Sequence, residues 1–357
     1  MSLSSLGWDP FFANAFQPYS TGDYLPGRVA LEHKNAYELL SAHGDLTAVC
    51  TGRLRHAAAA RDELPAVGDW VVARPRPGER HADIHAVLPR RTKFSRRAAG
   101  DATVEQIVAA NVDTVLLVTA LDQNFNLRRI ERYLAVAWES GAQPVVVLNK
   151  ADLHASPARA QAEVEAIAGG APVITLSATD EAGLERLAPW LVPARTLALL
   201  GSSGVGKSTL INRLVGAERQ ATSLISDAVG KGRHTTTHRE LIVTPSGALV
   251  IDTPGMRELQ LWQVDDDALN TAFGDIAALA ACCRFGDCAH QSEPGCAVQA
   301  ALDDGTLEPE RWQSFQKLQR EQAYAARKAD PRLERETKAA WKKVHKAHRD
   351  KKRLEDG

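Results

Sequence analysis

The residues best suited to chemistry lie in Gly201-Ser202-Ser203-Gly204-Val205-Gly206-Lys207-Ser208-Thr209, a glycine-rich turn between an apolar run and an apolar helical pattern. Gly201, Gly204 and Gly206 let the backbone curl into a concave loop whose N–H groups point inward, and the following helix adds the positive end of its dipole. Such a loop cradles phosphates: Lys207 would reach the outer ones, and the Ser208 hydroxyl would ligate Mg²⁺. A second constellation, Asn149-Lys150-Ala151-Asp152, comes straight off the apolar run Pro144–Leu148. An aspartate there can accept both the ring N–H and the exocyclic amine of guanine. A site built for those bonds rejects adenine, because its buried acceptors would be left unpaired. Lys150 would lay its stem along the base, Asn149 would brace the loop, and Ser177-Ala178 after the next strand would complete the base pocket through backbone contacts.

Downstream, Ala248 to Gly255 reads ALVIDTPG. Asp252 at the end of that run suits an outer contact to Mg²⁺, and the Gly255 amide would face the γ-phosphate. Between the two phosphate elements lies Gly230 to His238 (GKGRHTTTH), glycine-rich and polar, as expected of a loop ordered only by γ-phosphate and Mg²⁺. One of Thr235, Thr236 and Thr237 should ligate the metal, and Thr236 is preferred.

Four of the five cysteines fall within Cys282 to Cys296. The pattern Cys283-x4-Cys288-x-His290-x5-Cys296 supplies three thiolates and an imidazole around the Gly286-Asp287 and Pro294-Gly295 turns. Closed four-coordinate sulfur and nitrogen ligation selects one structural Zn²⁺. Disulfides are the competing use, disfavoured in a reducing cytosol. Cys282 could replace Cys283 as the first ligand, since adjacent residues do not both serve comfortably. Cys50, the remaining cysteine, reads as a core residue.

Several elements must position these groups. Residues 1–22 have turn residues and scattered aromatics without a sustained period and are expected to form a loosely ordered, flexible arm. Residues 23–95 hold about five short strand-like runs (GRVALEH, AYELLSA, LTAVCTG, DWVVARP, DIHAVLP) separated by turn signals, which fits a small all-β barrel of the OB-fold type. From 102 to 262 buried-strand runs alternate with helical patterns, as in TVLLVT at Thr114–Thr119 and the helix Leu127–Ser140 closed by Gly141. That alternation gives a doubly wound α/β domain. Residues 263–357 form the α-helical zinc-binding domain, with helices at Glu308–Arg327 and Pro331–Arg353, the last a basic tail.

The net charge is -1, but the signs are segregated. Pro89–Arg97 carries Arg90, Arg91, Lys93, Arg96 and Arg97 with no acid, and Pro331–Arg353 holds ten Lys or Arg against Glu334, Glu336 and Asp350. Asp252–Glu310 has twelve carboxylates against Arg257 and Arg284. This asymmetry points to a nucleic-acid partner touched at particular places. No signal-peptide pattern and no run of about 18 apolar residues is present, so a cytoplasmic protein without a membrane partner is expected. A monomer is expected too.

The five nucleotide elements are those of a GTPase in rotated order: the guanine motif and Ser177-Ala178 precede the phosphate loop, where ordinary GTPases place them last. Joining the usual ends and cutting elsewhere leaves the same sheet. With NKAD (149–152), GSSGVGKST (201–209), GRHTTT (232–237), DTPGMRE (252–258) and CRFGDCAHQSEPGC (283–296), the chain resembles the RsgA family of circularly permuted, small-ribosomal-subunit-dependent bacterial GTPases. The resemblance covers nearly the whole chain. It implies an OB-fold at the N-terminus, GTP and GDP as ligands, and the small subunit with its rRNA as partner. It further implies weak intrinsic hydrolysis that the subunit stimulates, a role in late subunit maturation, and hydrolysis coupled to release. Met256 stands where many GTPases carry the glutamine that orients water. The resemblance assigns that role to His234, whose imidazole can orient or deprotonate water. The alternative is a GTP-regulated RNA- or DNA-binding protein unconnected with ribosomes, and a small-molecule kinase is disfavoured by NKAD.

Overall fold

The computed structural model describes residues 1–98, 101–123, 125–216, 239–252 and 266–329. The Gly230–His238 loop with His234 and Thr236, the Gly255-Met256 turn, and the basic tail Pro331–Arg353 lie outside the described residues.

The N-terminal expectation is corrected. Residues 1–22 form a 3-10 turn at Ser4–Leu6, helix α1 at Pro10–Phe16 and a second 3-10 turn at Gln17–Tyr19, with Leu6 and Phe12 buried. The signal was the four-residue spacing of Trp8, Phe12 and Phe16, too short a stretch to register as a period. Trp8 packs edge-on to Trp70 at 4.7 Å between ring centres. Asp9 starts α1, accepting from the backbone N–H of Phe11 at 2.9 Å and of Phe12 at 3.4 Å, and also pairs with Arg91. Desolvation pushes its carboxyl up, but the Arg91 hydrogen bond and charge, with the two N–H groups, outweigh that and hold it below its ordinary 3.8. The stability that Asp9 contributes is therefore complete above that ordinary value and is lost as pH falls through the depressed folded one. Asp9→Asn should lower the urea midpoint at neutral pH, and the gap from the unaltered protein should close on the acid side; a gap independent of pH would contradict the assignment.

The next five strands are β1 (Leu25–Glu32), β2 (Tyr37–Leu40), β3 (Leu46–Cys50), β4 (Trp70–Pro75) and β5 (His81–Val87), with helix α2 (Gly52–Ala57) between β3 and β4. They pair in the order β1-β2-β3-β5-β4, and β4 returns to β1, closing the barrel with only the β3–β5 pair parallel. This is the expected OB-type barrel, and Cys50 sits in its core with Val29, Leu39 and Ile84. A hairpin follows, β6 (Lys93–Ala98) with β7 (Asp101–Ala110). Here the basic run meets partners that its own segment lacks. Arg90 forks onto buried Asp69 at 2.8 and 2.7 Å, Arg91 takes Asp9, Lys93 takes Glu105 at 3.0 Å, and Arg96 donates to Gln106 at 3.2 Å. Arg90, at least, spends its charge inside the fold.

Six further strands, β8 (Thr114–Ala120), β9 (Gln143–Asn149), β10 (Val173–Thr175), β11 (Thr196–Leu200), β12 (Glu240–Val243) and β13 (Leu249–Asp252), lie in the order β10-β9-β8-β11-β13-β12, parallel except β12. Their period-two alternation feeds two cores. Val115, Leu117, Val146, Leu148, Ala198 and Leu200 pack toward α3 (Leu127–Ser140) and α4 (Pro157–Glu165). Leu116, Val118, Val145, Val147, Leu197 and Leu199 pack toward Leu187 and α6 (Lys207–Val215), beyond the short α5 (Glu181–Glu185). β1 and β12 meet at Leu31 and Glu240, which fuses barrel and α/β domain into one sheet. Buried Arg28 rivets the same seam, donating to the carbonyls of Leu6, Gly68 and Asn111 and to Thr196 Oγ1 at 2.7 Å.

The last described elements are α7 (Asp266–Ala272), α8 (Gly274–Ala281), α9 (Ala297–Asp303) and α10 (Pro309–Ala329). Leu269, Phe273, Ile276, Val298, Trp312 and Phe315 form their core, which includes Ala135 of α3. Buried Glu131 of α3 takes Arg311 at 2.6 Å, and Arg311 forks onto Asp275 at 2.6 Å, so this unit is bolted to the α/β domain by charge as well as packing.

Candidate functional site

A parallel sheet delivers all its strand ends to one edge, where ligands bind. Ala120, Asn149, Thr175, Leu200 and Asp252 end strands at that edge. The sequence-predicted loops Asn149–Asp152, Ser177-Ala178 and Gly201–Thr209 therefore converge, although some 60 residues of sequence separate the outermost of them.

Asn149 is the joint. It is buried, its Nδ2 donates to the Val205 carbonyl of the phosphate loop at 2.8 Å, and its Oδ1 accepts from the Ala178 backbone at 2.8 Å. One side chain thus ties the base loop, the phosphate loop and the Ser177-Ala178 turn together, as the expected brace would. Lys150 adopts a left-handed conformation at φ 61° and pairs with Asp122 at 3.0 Å. Asp152 is exposed, and Ala151 N–H donates to Leu176 at 3.2 Å, fixing the base loop against its neighbour.

The phosphate loop needs its glycines for space. A Cβ on Gly201 would sit 2.1 Å from the Val118 carbonyl oxygen, and one on Gly206, at φ 98°, would sit 2.2 Å from Asn149 Nδ2. Gly206→Ala should therefore displace Asn149 and weaken guanine-nucleotide affinity at least about tenfold, since positive φ alone costs an alanine about 1–2 kcal/mol. A fluorescent-GDP titration reads this, and unchanged affinity would overturn it. Val205 is buried, whereas Ser203, Gly204, Ser208 and Thr209 face solvent at the loop mouth. Lys207 Nζ bonds the carbonyls of Gly201 at 2.7 Å and Ser202 at 2.6 Å. Asp252 is half-buried at the end of β13. Of the predicted nucleotide residues, His234, Gly255 and the candidate metal ligands Thr235, Thr236 and Thr237 lie outside the described residues. Asp122 and Arg129 are the partners that sequence reasoning missed; Arg129 Nη1 donates to Ser202 Oγ at 3.2 Å across 73 residues, and no local spacing announces such a contact.

The second predicted site also assembles. The ligand atoms of Cys283, Cys288, His290 and Cys296 lie within 4.8 Å of one another, a group that could hold a metal ion. His290 Nδ1 is 3.5 Å from Cys283 Sγ and 3.4 Å from Cys296 Sγ, and the two sulfurs are 3.9 Å apart. Cys282 is exposed and outside the cluster, whereas Cys283 lies within it. Glu293, not anticipated, organises the loop between ligands. Hydrogen bonds from backbone N–H groups, including those of Gln291 at 2.8 Å and Ala289 at 2.9 Å, pull its carboxyl down to about 2. Gln299 Nε2 holds the His290 carbonyl at 2.6 Å.

The sequence profile of the family described as RsgA GTPase matches residues 87–262. A relative from Opitutus terrae named "Small ribosomal subunit biogenesis GTPase RsgA" is 64% identical over 99% of both chains. One of the same name from Syntrophotalea carbinolica is 48% identical over 91% of both. Among solved structures, YjeQ from Thermotoga maritima is similar with a TM-score of 0.62 at 27% identity, covering 84% of this chain and 99% of its own. YloQ, titled a circularly permuted GTPase, is similar with a TM-score of 0.59 at 26% identity, covering 84% and 95%.

Proposed function

We infer the function of this chain from its kinship, for it belongs to the RsgA GTPase family. It is a GTP-hydrolysing enzyme of small-ribosomal-subunit biogenesis, with GTP and GDP as its nucleotides and the small subunit as its partner. The observation that carries the nucleotide reading is the double grip of Asn149 on Val205 and Ala178. It holds a base loop and a phosphate loop at one sheet edge, a fixed span for one guanine nucleotide.

In this reading Lys150, Asp152, Ser177 and Ala178 hold guanine, and the loop Gly201–Thr209 holds the phosphates through backbone N–H groups and Lys207. Asp152 accepts from N1–H and the 2-amino group. Ser208 and Thr236 would bind Mg²⁺, which supplies neutralisation of charge on the β- and γ-phosphates. Asp252 would contact the outer shell of that ion, Gly255 would donate to the γ-phosphate, and His234 would orient water. Docking on the small subunit brings the His234 loop into place and accelerates hydrolysis, and hydrolysis then releases the protein late in subunit maturation.

The Cys283, Cys288, His290 and Cys296 group fits zinc. Tetrahedral zinc with Zn–S near 2.3 Å and Zn–N near 2.05 Å needs sulfur–sulfur edges of about 3.8 Å and sulfur–nitrogen edges of about 3.6 Å, close to the 3.9, 3.5 and 3.4 Å found. Its role is structural, since all four positions come from the protein. The chain works as a cytoplasmic monomer; among the described residues no helix is long and apolar enough to cross a membrane.

The test is GTP hydrolysis with purified small subunits, against large subunits and bulk RNA. A large increase confined to small subunits supports the proposal, and its loss in His234→Ala with nucleotide affinity intact supports the water-orienting role. No increase would leave the nucleotide site and remove the ribosomal partner.

A further inference from the structure

We propose that Arg129 is a positioning residue for the phosphate loop, holding the first half of the cradle through Ser202 so that it is already shaped when a nucleotide arrives. The inference rests on the proposed assignment of that loop to GTP.

A glycine-rich loop has few side chains with which to hold its own shape, and ordering it at the moment of binding would cost affinity. Its second half is held by Asn149 through Val205. Its first half is held by Lys207 Nζ on the carbonyls of Gly201 and Ser202 and, on Ser202 Oγ, by Arg129 Nη1. The first is temporary, because Lys207 is the group that turns to the phosphates. The Arg129 contact engages a side chain on a loop whose backbone N–H groups do the cradling, so it need not break.

Arg129 also stands on a rigid base. Its backbone N–H donates to the Asn126 side chain, the cap of α3, at 3.0 Å. Its neighbours Ile130 and Leu134 are buried. The adjoining charges of α3 are anchored to the zinc-binding unit, with Glu131 on Arg311 at 2.6 Å and Arg132 on Glu321 at 2.6 Å. A half-buried guanidinium on such a base supplies a charge-assisted hydrogen bond with little entropy to lose.

Affinities for GDP and for a non-hydrolysable GTP analogue would be measured by calorimetry on the full chain, with thermal melting to show that each variant is folded. Arg129→Ala should weaken both nucleotides alike, about fivefold, as expected for losing roughly 1 kcal/mol of hydrogen bonding. The kcat at saturating GTP should stay within about twofold, because a shaping residue acts on binding. Ser202→Ala should give the same loss, and nothing further in the Arg129→Ala background. Arg129→Lys, which keeps a donor, should restore part of it. Unchanged affinities in both folded single variants would overturn the proposal. So would a loss confined to the GTP analogue with a fall in kcat, which would make Arg129 a group touching the γ-phosphate. Lys207→Ala separates the two levels: if it binds as the unaltered protein does, the assignment of the loop to phosphates fails, whereas full sensitivity there with none at Arg129 or Ser202 defeats only this inference.

Discussion

Asp152→Asn should exchange guanine for xanthine. The exposed carboxylate follows Lys150, whose left-handed backbone turns the chain out of β9, and the Ala151–Leu176 bond fixes the turn's height above the sheet. A carboxylate offers acceptors only and so matches the two donors of guanine, N1–H and the 2-amino group. Asparagine keeps one acceptor and makes the other position a donor. That set matches xanthine, which keeps N1–H and carries a carbonyl at C2. With guanine, the asparagine NH₂ would face the 2-amino group, donor against donor, so that neither is paired once the base is seated. GTP affinity should fall by about two orders of magnitude or more, in line with sites built around hydrogen-bonding groups, and XTP should become the better ligand. Competition of GTP and XTP for the purified variant measures this. A variant that prefers GTP as the parent does would remove Asp152 from the base pocket.

Metal removal should have the other large effect, nearer the C-terminus. The core around Phe273, Ile276, Val298, Trp312 and Phe315 is small, and Cys296 is part of it. Trp312 also packs edge-on to His290 at 5.8 Å. Ligands and core therefore form together, and structural zinc contributes about 10–16 kcal/mol in comparable small sites. Cys288→Ser should cut the zinc that the protein binds towards none and lower its thermal midpoint. GTP binding should survive, since the nucleotide loops spring from strands with their own cores. Cys282→Ser should retain full zinc, because Cys282 lies outside the cluster. Metal analysis with calorimetry reads both variants; loss of zinc in Cys282→Ser alone would reverse the ligand assignment.

The parts legible from sequence were those whose cause is local. Continuous apolar runs marked β8 and β9 nearly to the residue, and Gly141 closed α3 in the left-handed conformation at φ 80°. The cysteine and histidine spacing identified a group that the structure brings together. The aromatic N-terminus was misread because its helix spans seven residues and its partners, Trp70 among them, come from the barrel. The basic run Arg90–Arg97 looked unpaired because composition counts neighbours in sequence, and Arg90 meets Asp69 21 residues upstream.

By itself the sequence determined the chemistry proposed for this protein: a backbone cradle for phosphates, acceptors for guanine and a group of thiolates with an imidazole that could hold a metal ion. Each depends on residue types a few positions apart, which the chain carries into any fold. Only the tertiary structure decided which charges remain for partners and which hold the molecule together. Arg28 reaches Thr196 across 168 residues, Arg129 reaches Ser202 across 73, and Glu131 reaches Arg311 across 180. A guanidinium makes its bonds over about 3 Å of space, and chain topology, which no local pattern encodes, determines what lies there.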